Sequence, residues 1–382
     1  MPWTQNKRFE ELIKMTMLTK AMKIRIGTAA AVLAAVLTSC VSNEVAQPVS
    51  EDIPITYSVL QKSMATRSAV SGITYPQGVP FGSFAYYLPA GKTWRDDKEY
   101  ARIYIDNDEV TYDKQGTNSF APNSWHSEIV HYWPKTGTLT FFSYSPYEKL
   151  QGKISCSPEN GLMINSWTAG MEPGDAEGTG TGVDLMIAQS VNQTGNTSSA
   201  SGYQAGVSTA FQHICCQVEV QAKLSAAEED NKDKKTYTVN SVSFNNLWTK
   251  ANYSSNVGTW IGHSDLEHPS YTINGTEGQT LDLKGSPSRV FPSMIVIPQN
   301  LLEASGSSAR EAPSITIEYT PKGGDRTTVT KLLANGHNDI WKPGRKYLIT
   351  IIFSVDEAYI EFATFVKGWE TGGNRDDITI GN

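Results

Sequence analysis

From Ile53 onward the chain is broken into short runs of β-branched and aromatic residues, separated by clusters of Gly, Pro, Asn and Ser. The runs are Ile53–Val59, Phe81–Leu88, Arg102–Ile105, Leu139–Tyr144, Val207–Leu224, Thr236–Phe244, Val290–Ile297, Ser314–Tyr319, Tyr347–Phe353 and Tyr359–Val366. Many alternate in polarity, as Tyr237-Thr238-Val239-Asn240-Ser241-Val242-Ser243-Phe244 does over part of its length. Successive side chains of a strand point to opposite faces, so period-two runs bounded by turn formers predict half-buried strands and β-sandwich domains. Helical periodicity is confined to short stretches near Leu301–Ala304 and Lys331–Asn335, and no tandem repeat of solenoid length is visible.

A chain of 382 residues exceeds one ordinary core, so two domains are expected. The loosest part of the folded region is 168–206, where Thr168–Gly182 and Ser190–Gly206 are rich in Gly, Ser and Thr around the apolar Leu185-Met186-Ile187-Ala188. The run from Val207 to Leu224 reads as one continuous strand. The expected domains are therefore residues 53–206 and 207–382.

The N-terminus carries export information. Lys23 and Arg25 precede an apolar core from Ile26 to Leu37, which has the form of a secretory signal. The run is shorter than the roughly 20 apolar residues that a membrane-spanning helix needs. Translation is expected to start at Met22, with 1–39 as the signal segment. Leu37-Thr38-Ser39-Cys40 resembles the lipobox of bacterial lipoproteins, which implies that the Cys40 thiol carries diacylglycerol. Two or three acyl chains, at about 0.8 kcal/mol per buried CH₂, anchor a protein firmly without a spanning segment. Residues 40–52, with Pro48, Glu51 and Asp52, then form a lipidated polar tether.

Several chemistries are disfavoured by composition and spacing. A net charge of −7 gives no basic footprint for nucleic acid. The six histidines, His126, His131, His213, His263, His268 and His337, form no close ligand set, so no metal or other cofactor is expected. His213 reads as a core or capping residue. His263-Ser264-Asp265 and His268 read as a solvated loop. Asp106-Asn107-Asp108-Glu109 has calcium-type oxygens but lacks the Gly and distal Glu of such a loop, so a tight turn between two strands is expected. No nucleophile elbow or phosphate loop is present, and no catalytic residue is assigned. Beyond Cys40, the cysteines are Cys156, Cys215 and Cys216. The last two are neighbours on an expected strand and point apart, while a bridge from Cys156 to either stays open beside the reading of buried free thiols.

Five segments in order resemble the fimbrillin family of anchored pilins and pilin-like lipoproteins. They are Tyr132-Trp133-Pro134 with Gly137 and the aromatic strand Leu139–Tyr144; Val183-Asp184-Leu185-Met186-Ile187-Ala188; Phe211-Gln212-His213 leading to Val218-Glu219-Val220; Pro343-Gly344-Arg345-Lys346-Tyr347; and Val366-Lys367-Gly368-Trp369. The resemblance implies an all-β fold of two tandem transthyretin-like sandwiches and a cell-surface fimbrial subunit or fimbria-associated adhesin, not an enzyme. Its partners would be other fimbrial subunits and a host or bacterial surface ligand or glycan, with the outer membrane reached through the lipid. The resemblance also implies assembly by strand exchange. Ile53–Val59 would be the displaced first strand, Arg67 the site of an Arg-directed cut, Ser68 the new N-terminus, and Tyr359–Val366 or Asp377-Ile378-Thr379-Ile380 the donor. The tail after Trp369 is short, polar and Gly-rich, which leaves a tip, anchor or non-polymerising role open. A rival reading is a glycan-binding lipoprotein that stacks sugars on Trp94, Trp125, Trp248 and Trp260, although burial of most of these rings in the sandwich cores is the expected case.

Overall fold

The computed structural model describes residues 52–61, 73–169, 182–195, 206–224, 237–267, 270–272, 279–281, 288–302, 311–334, 339–353, 358–359 and 365–368. Cys40, Arg67, Ser68, Trp369 and 377–380 lie outside them, as do His268, His337 and the middle of Tyr359–Val366. The described elements belong to the unit Ile53–Asn382.

The first ten strands are β1 (Tyr57–Gln61), β2 (Ile73–Thr74), β3 (Phe81–Leu88), β4 (Arg102–Asp113), β5 (Ser124–Ser127), β6 (Thr138–Ser145), β7 (Ile154–Ser157), β8 (Gly161–Thr168), β9 (Met186–Gln193) and β10 (Val207–His213). Then follow β11 (Cys216–Leu224), β12 (Tyr237–Asn245), β13 (Leu247–Ser254), β14 (Thr259–Glu267), β15 (Ser270–Thr272), β16 (Gln279–Leu281) and β17 (Ser288–Val296). The last are β18 (Ser314–Pro321), β19 (Thr327–Leu332), β20 (Arg345–Phe353), β21 (Ala358–Tyr359) and β22 (Phe365–Gly368). The only helical elements described are two 3₁₀ turns, at Lys98–Tyr100 and Glu148–Leu150. The fold is an all-β sandwich arrangement, as the alternating runs predict.

Eight strands form the first sheet in the order β10-β9-β6-β3-β4-β5-β1-β2. Because β10 also pairs with β1, this sheet closes on itself. Its inner face holds Phe81, Ala85, Ile105, Leu139, Phe141, Val207 and Phe211 in one apolar cluster. The outer face of the same central strands presents Phe84, Tyr86, Phe142 and Tyr144 to a second cluster, which includes Leu162 and Ile164 of β8 and Tyr253 of β13. Thus β6 is buried on both faces from Leu139 to Ser145, because it contributes to two cores at once. The remaining sheets are β17-β11-β20-β21 with β22 on β20, β15-β12-β18-β19 with β16 on β12, and β14-β13-β8-β7.

Several expectations change. The run 207–224 is broken at Ile214-Cys215 into β10, in the first sheet, and β11, in another. Cys215 and Cys216 are both buried and free, and Cys156 is free, so no bridge forms among these three. Asp106–Glu109 is no turn. It lies inside β4, where pairing with β3 shifts register and Asn107 takes a left-handed φ of 60°. The extra residue of a bulge breaks the alternation that a strand would show, and the polar run then mimics a turn. His263-Ser264-Asp265 lies in β14 instead of a loop, with His263 Nε2 2.9 Å from the Pro298 carbonyl oxygen. Lys331 and Leu332 belong to β19, not to a helix. In β12 a bulge between Val239 and Ser241 moves the buried positions from Tyr237 and Val239 to Val242 and Phe244, which explains the partial alternation.

Candidate functional site: the first strand and its seam

The five residues of β1 lie parallel to β10, in the register Tyr57↔Val207 to Gln61↔Phe211. On the other side β1 meets β5 only at Tyr57↔Trp125, and it pairs with β2 at Leu60 and Gln61. Alternation turns Ile55 and Tyr57 into the closed sheet, where they are buried, leaves Val59 half-buried, and exposes Leu60. The Tyr57 ring meets Phe81 and Phe141 edge-on, with centroids 5.4 and 5.9 Å apart. Each fully buried side chain of this size contributes about 1.5–3 kcal/mol. Most of the strand's apolar hold therefore comes from two side chains.

The approach to β1 differs from the expected strand Ile53–Val59. Ile53–Ile55 precedes the strand proper and is clasped by 131–133. The Ile55 amide donates to the His131 carbonyl at 2.8 Å, the Trp133 amide donates to the Ile53 carbonyl at 2.9 Å, and Pro54 bridges Tyr132. His131 is in turn fixed by Asp108, Nε2 to Oδ2 at 2.7 Å. On the β10 side, the Val207 amide donates to the Thr56 carbonyl at 2.7 Å. Gly206, with φ of 77°, lets that approach occur, since a Cβ there would sit 2.8 Å from the Thr56 backbone.

The trough beneath β1 is aromatic and dry. Phe211 stacks on Tyr75 at 4.9 Å and meets Phe81 edge-on at 5.2 Å. Burial pushes the Tyr57 and Tyr75 phenols well above their ordinary range, and the Tyr75 hydroxyl shares a 2.5 Å hydrogen bond with Ser145. At the end of β10, His213 is buried with Nδ1 2.8 Å from Asp184. That is the core or capping arrangement its sequence context suggests. Among the described residues no group of three or more His, Cys, Asp or Glu is placed to hold a metal ion. No helix among them is long and apolar enough to cross a membrane.

The tryptophans named in the rival sugar-stacking reading are mostly interior, as the core alternative has them: Trp94, Trp125 and Trp260 are buried, and Trp248 is half-buried. Burying large rings in thin sandwich cores outweighs displaying them. The backbone clasp between 53–55 and 131–133, and the close approach at Gly206, escaped the sequence reading. The Tyr132-Trp133-Pro134 motif marked half of the clasp, while nothing local marks its partner.

A family model described as fimbrillin-like matches residues 85–369, most of the chain, and the chain belongs to that family. Among solved structures it is similar to a fimbrial protein from Bacteroides vulgatus, at 18% identity and a TM-score of 0.57, over 83% of this chain and 99% of that one. It is also similar to the tip fimbrial protein Mfa3 from Porphyromonas gingivalis, at 11% identity and a TM-score of 0.39, over 83% and 100%. No curated protein sequence matches. The family supports a fimbrial subunit or adhesin role at the cell surface, in association with other fimbrial subunits; it is a family of structural proteins, not of enzymes.

Proposed function

We propose that the protein is an exported lipoprotein, held on the outer membrane through Cys40, that joins a fimbria by proteolysis-triggered strand exchange. In this reading two tandem sandwiches follow the tether, and β10, which closes the first sheet, is counted with the first of them. The supporting observation is the position of β1: the first of the described strands closes the first sheet with one deeply buried side chain of its own, Tyr57, and a second, Ile55, just before it. Residues 62–72, which contain Arg67 and Ser68, connect it to β2. A cut there separates β1 from everything that follows. Its departure would bare unpaired N–H and C=O groups on β10 and the rings of Phe81, Phe141 and Phe211. A strand from a neighbouring subunit satisfies both needs at once, which is the physics of β-augmentation. The donor is assigned to the C-terminal segment. Phe365–Gly368 pairs with β20 within the same chain, so donation from Tyr359–Val366 would first release that edge.

The test is N-terminal sequencing of the cell-surface protein, paired with its size on mild, unheated gels. The expected result is a start at Ser68 and a high-mass ladder, with Arg67→Ala holding the chain at Cys40 as a single band. A wild-type protein found only as a lipidated monomer beginning at Cys40 would sink the exchange reading and leave an anchored, non-polymerising adhesin.

A further inference from the structure

Where β3 ends and β4 begins, the outer surface carries an open groove of about 270 Å³. Its apolar walls are Tyr87, Ile103, Tyr104 and Pro134, and its charged groups are Arg102 and Lys135. No Asp or Glu lines it, although the chain as a whole carries a net charge of −7. Two cations without a carboxylate between them, set among rings, are a local reversal of the protein's charge.

The groove is held in place by backbone ties to its turn and by bonds that use part of Arg102 and the Tyr104 hydroxyl. The 132–135 turn is tied by the Pro54 bridge to Tyr132, by the Trp133 amide to the Ile53 carbonyl, and by the Tyr104 hydroxyl, which donates to the Tyr132 carbonyl. Arg102 Nη1 donates to the Ala101 carbonyl at 2.9 Å and to the Glu99 carbonyl at 3.3 Å. That fixes one edge of the guanidinium and leaves its other donors for a ligand. Gly137, with φ of 80°, gives Tyr87 room to lie over the turn, because a Cβ there would sit 2.7 Å from the Tyr87 ring and 2.2 Å from the Leu88 carbonyl oxygen.

We propose that this groove binds a carboxylated sugar at a glycan terminus or branch. Tyr rings offer flat amphipathic faces at low entropic cost, which suits the apolar face of a pyranose. The fork of Arg102 matches a carboxylate, and Lys135 adds a second charge. The volume lies just under the roughly 300–1,000 Å³ of pockets that enclose drug-sized ligands, which fits one ring better than a long chain. An anchored monomer that keeps Ile53 and Pro54 carries the groove whole, whereas departure of β1 would remove two of the three ties on the 132–135 turn, so the protein tested is the uncut chain that begins at Cys40.

The test is calorimetric titration of the full mature chain with trigalacturonate, 3′-sialyllactose and maltotriose, together with a tetraglutamate peptide. At least one acidic trisaccharide is expected to bind about tenfold or more tighter than maltotriose, as charge-assisted hydrogen bonds would dictate. Which of the two binds tells a uronic from a sialic acid source. Arg102→Gln and Lys135→Gln are each expected to weaken that binding several-fold, with added salt doing the same, while Lys331→Gln on β19 leaves it unchanged. Both targets are exposed, and a circular dichroism spectrum checks their folding. Equal binding of maltotriose, equal binding of tetraglutamate, indifference to both substitutions, or no binding of any sugar would overturn the proposal.

Discussion

The described residues contain two parallel strand pairs, and the two are held very differently. In one, β11 runs beside β20 over eight residues, from Gln217↔Lys346 to Leu224↔Phe353, with β17 on the far side of β11 and β21 and β22 on the far side of β20. Val218, Val220, Ala222, Ile349, Ile351 and Phe353 are all buried along it. In the first sheet β1 runs beside β10 for five residues, with one residue of contact to β5, one deep anchor of its own at Tyr57 and another just before it at Ile55. Parallel pairing is slightly weaker per residue than antiparallel, so a parallel strand depends on what covers its faces. The long pair is a fixture of its core, whereas the short one completes a sheet in which β3, β4, β5, β6, β9 and β10 already pair with one another.

The largest predicted effects test that contrast directly. Ile351→Ala in β20 removes a side chain only 1% exposed and is expected to cost ~2–5 kcal/mol, read as a shift in the denaturation midpoint. Val59→Ala in β1 removes a half-buried side chain and is expected to cost about 1 kcal/mol or less. Equal losses at the two positions would mean that β1 is as firmly built in as β20, and the contrast would break.

A second difference is electrostatic. Glu219 of β11 is 5% exposed and is neutralised from two sides, by Lys346 Nζ at 2.5 Å and Arg289 Nη2 at 3.3 Å. A buried carboxylate that loses a partner is worse off than a neutral pair, so Lys346→Met is expected to destabilise by ~1–3 kcal/mol. The remaining Arg289 and the partial exposure of Lys346 keep the loss below that of a fully buried pair. Adding Glu219→Gln to Lys346→Met should recover most of it. A double variant no more stable than the single one would show that the lysine stem, and not its charge, supports the strand.

How far the sequence reveals these differences depends on whether the cause is local. Alternation in Val207–His213 is strict, with inward and outward positions in step, and that strand is legible at once. The run through Ile214-Cys215 looks continuous because both sides are apolar, yet the chain changes sheets there, and only tertiary pairing tells them apart. In the candidate site, Tyr132-Trp133-Pro134 is visible as a turn, but its bond to Ile53 spans some 80 residues and has no sequence mark. For the tryptophans composition alone leaves display and burial open, and the general tendency of sandwich cores to take up large rings points the right way, as Trp94 packing on Phe142 with centroids 5.4 Å apart illustrates.

The smallest predicted effect compares the bulges of the two halves. In β4, Asn107 holds a left-handed φ of 60° and its Oδ1 accepts from the Tyr144 hydroxyl at 2.5 Å. In β12, Asn240 sits at a bulge without a left-handed φ, and its Nδ2 donates to Thr320 Oγ1 at 2.9 Å. Asn107→Gly keeps the backbone permissive and loses two side-chain bonds, the one its Oδ1 accepts from the Tyr144 hydroxyl and the one its Nδ2 donates to Gln151 Oε1 at 3.3 Å, while Gln151 Nε2 still donates to the Tyr144 hydroxyl at 2.9 Å. It should cost about 0.5–1 kcal/mol. Asn107→Ala adds the left-handed penalty of roughly 1 kcal/mol and should be measurably worse than the glycine. At 240 the order should reverse, because glycine there only adds unfolded-state entropy, leaving Asn240→Ala the milder change by about 0.5–1 kcal/mol. The same ranking at both positions, in paired denaturation curves, would mean that backbone strain does not distinguish the two bulges.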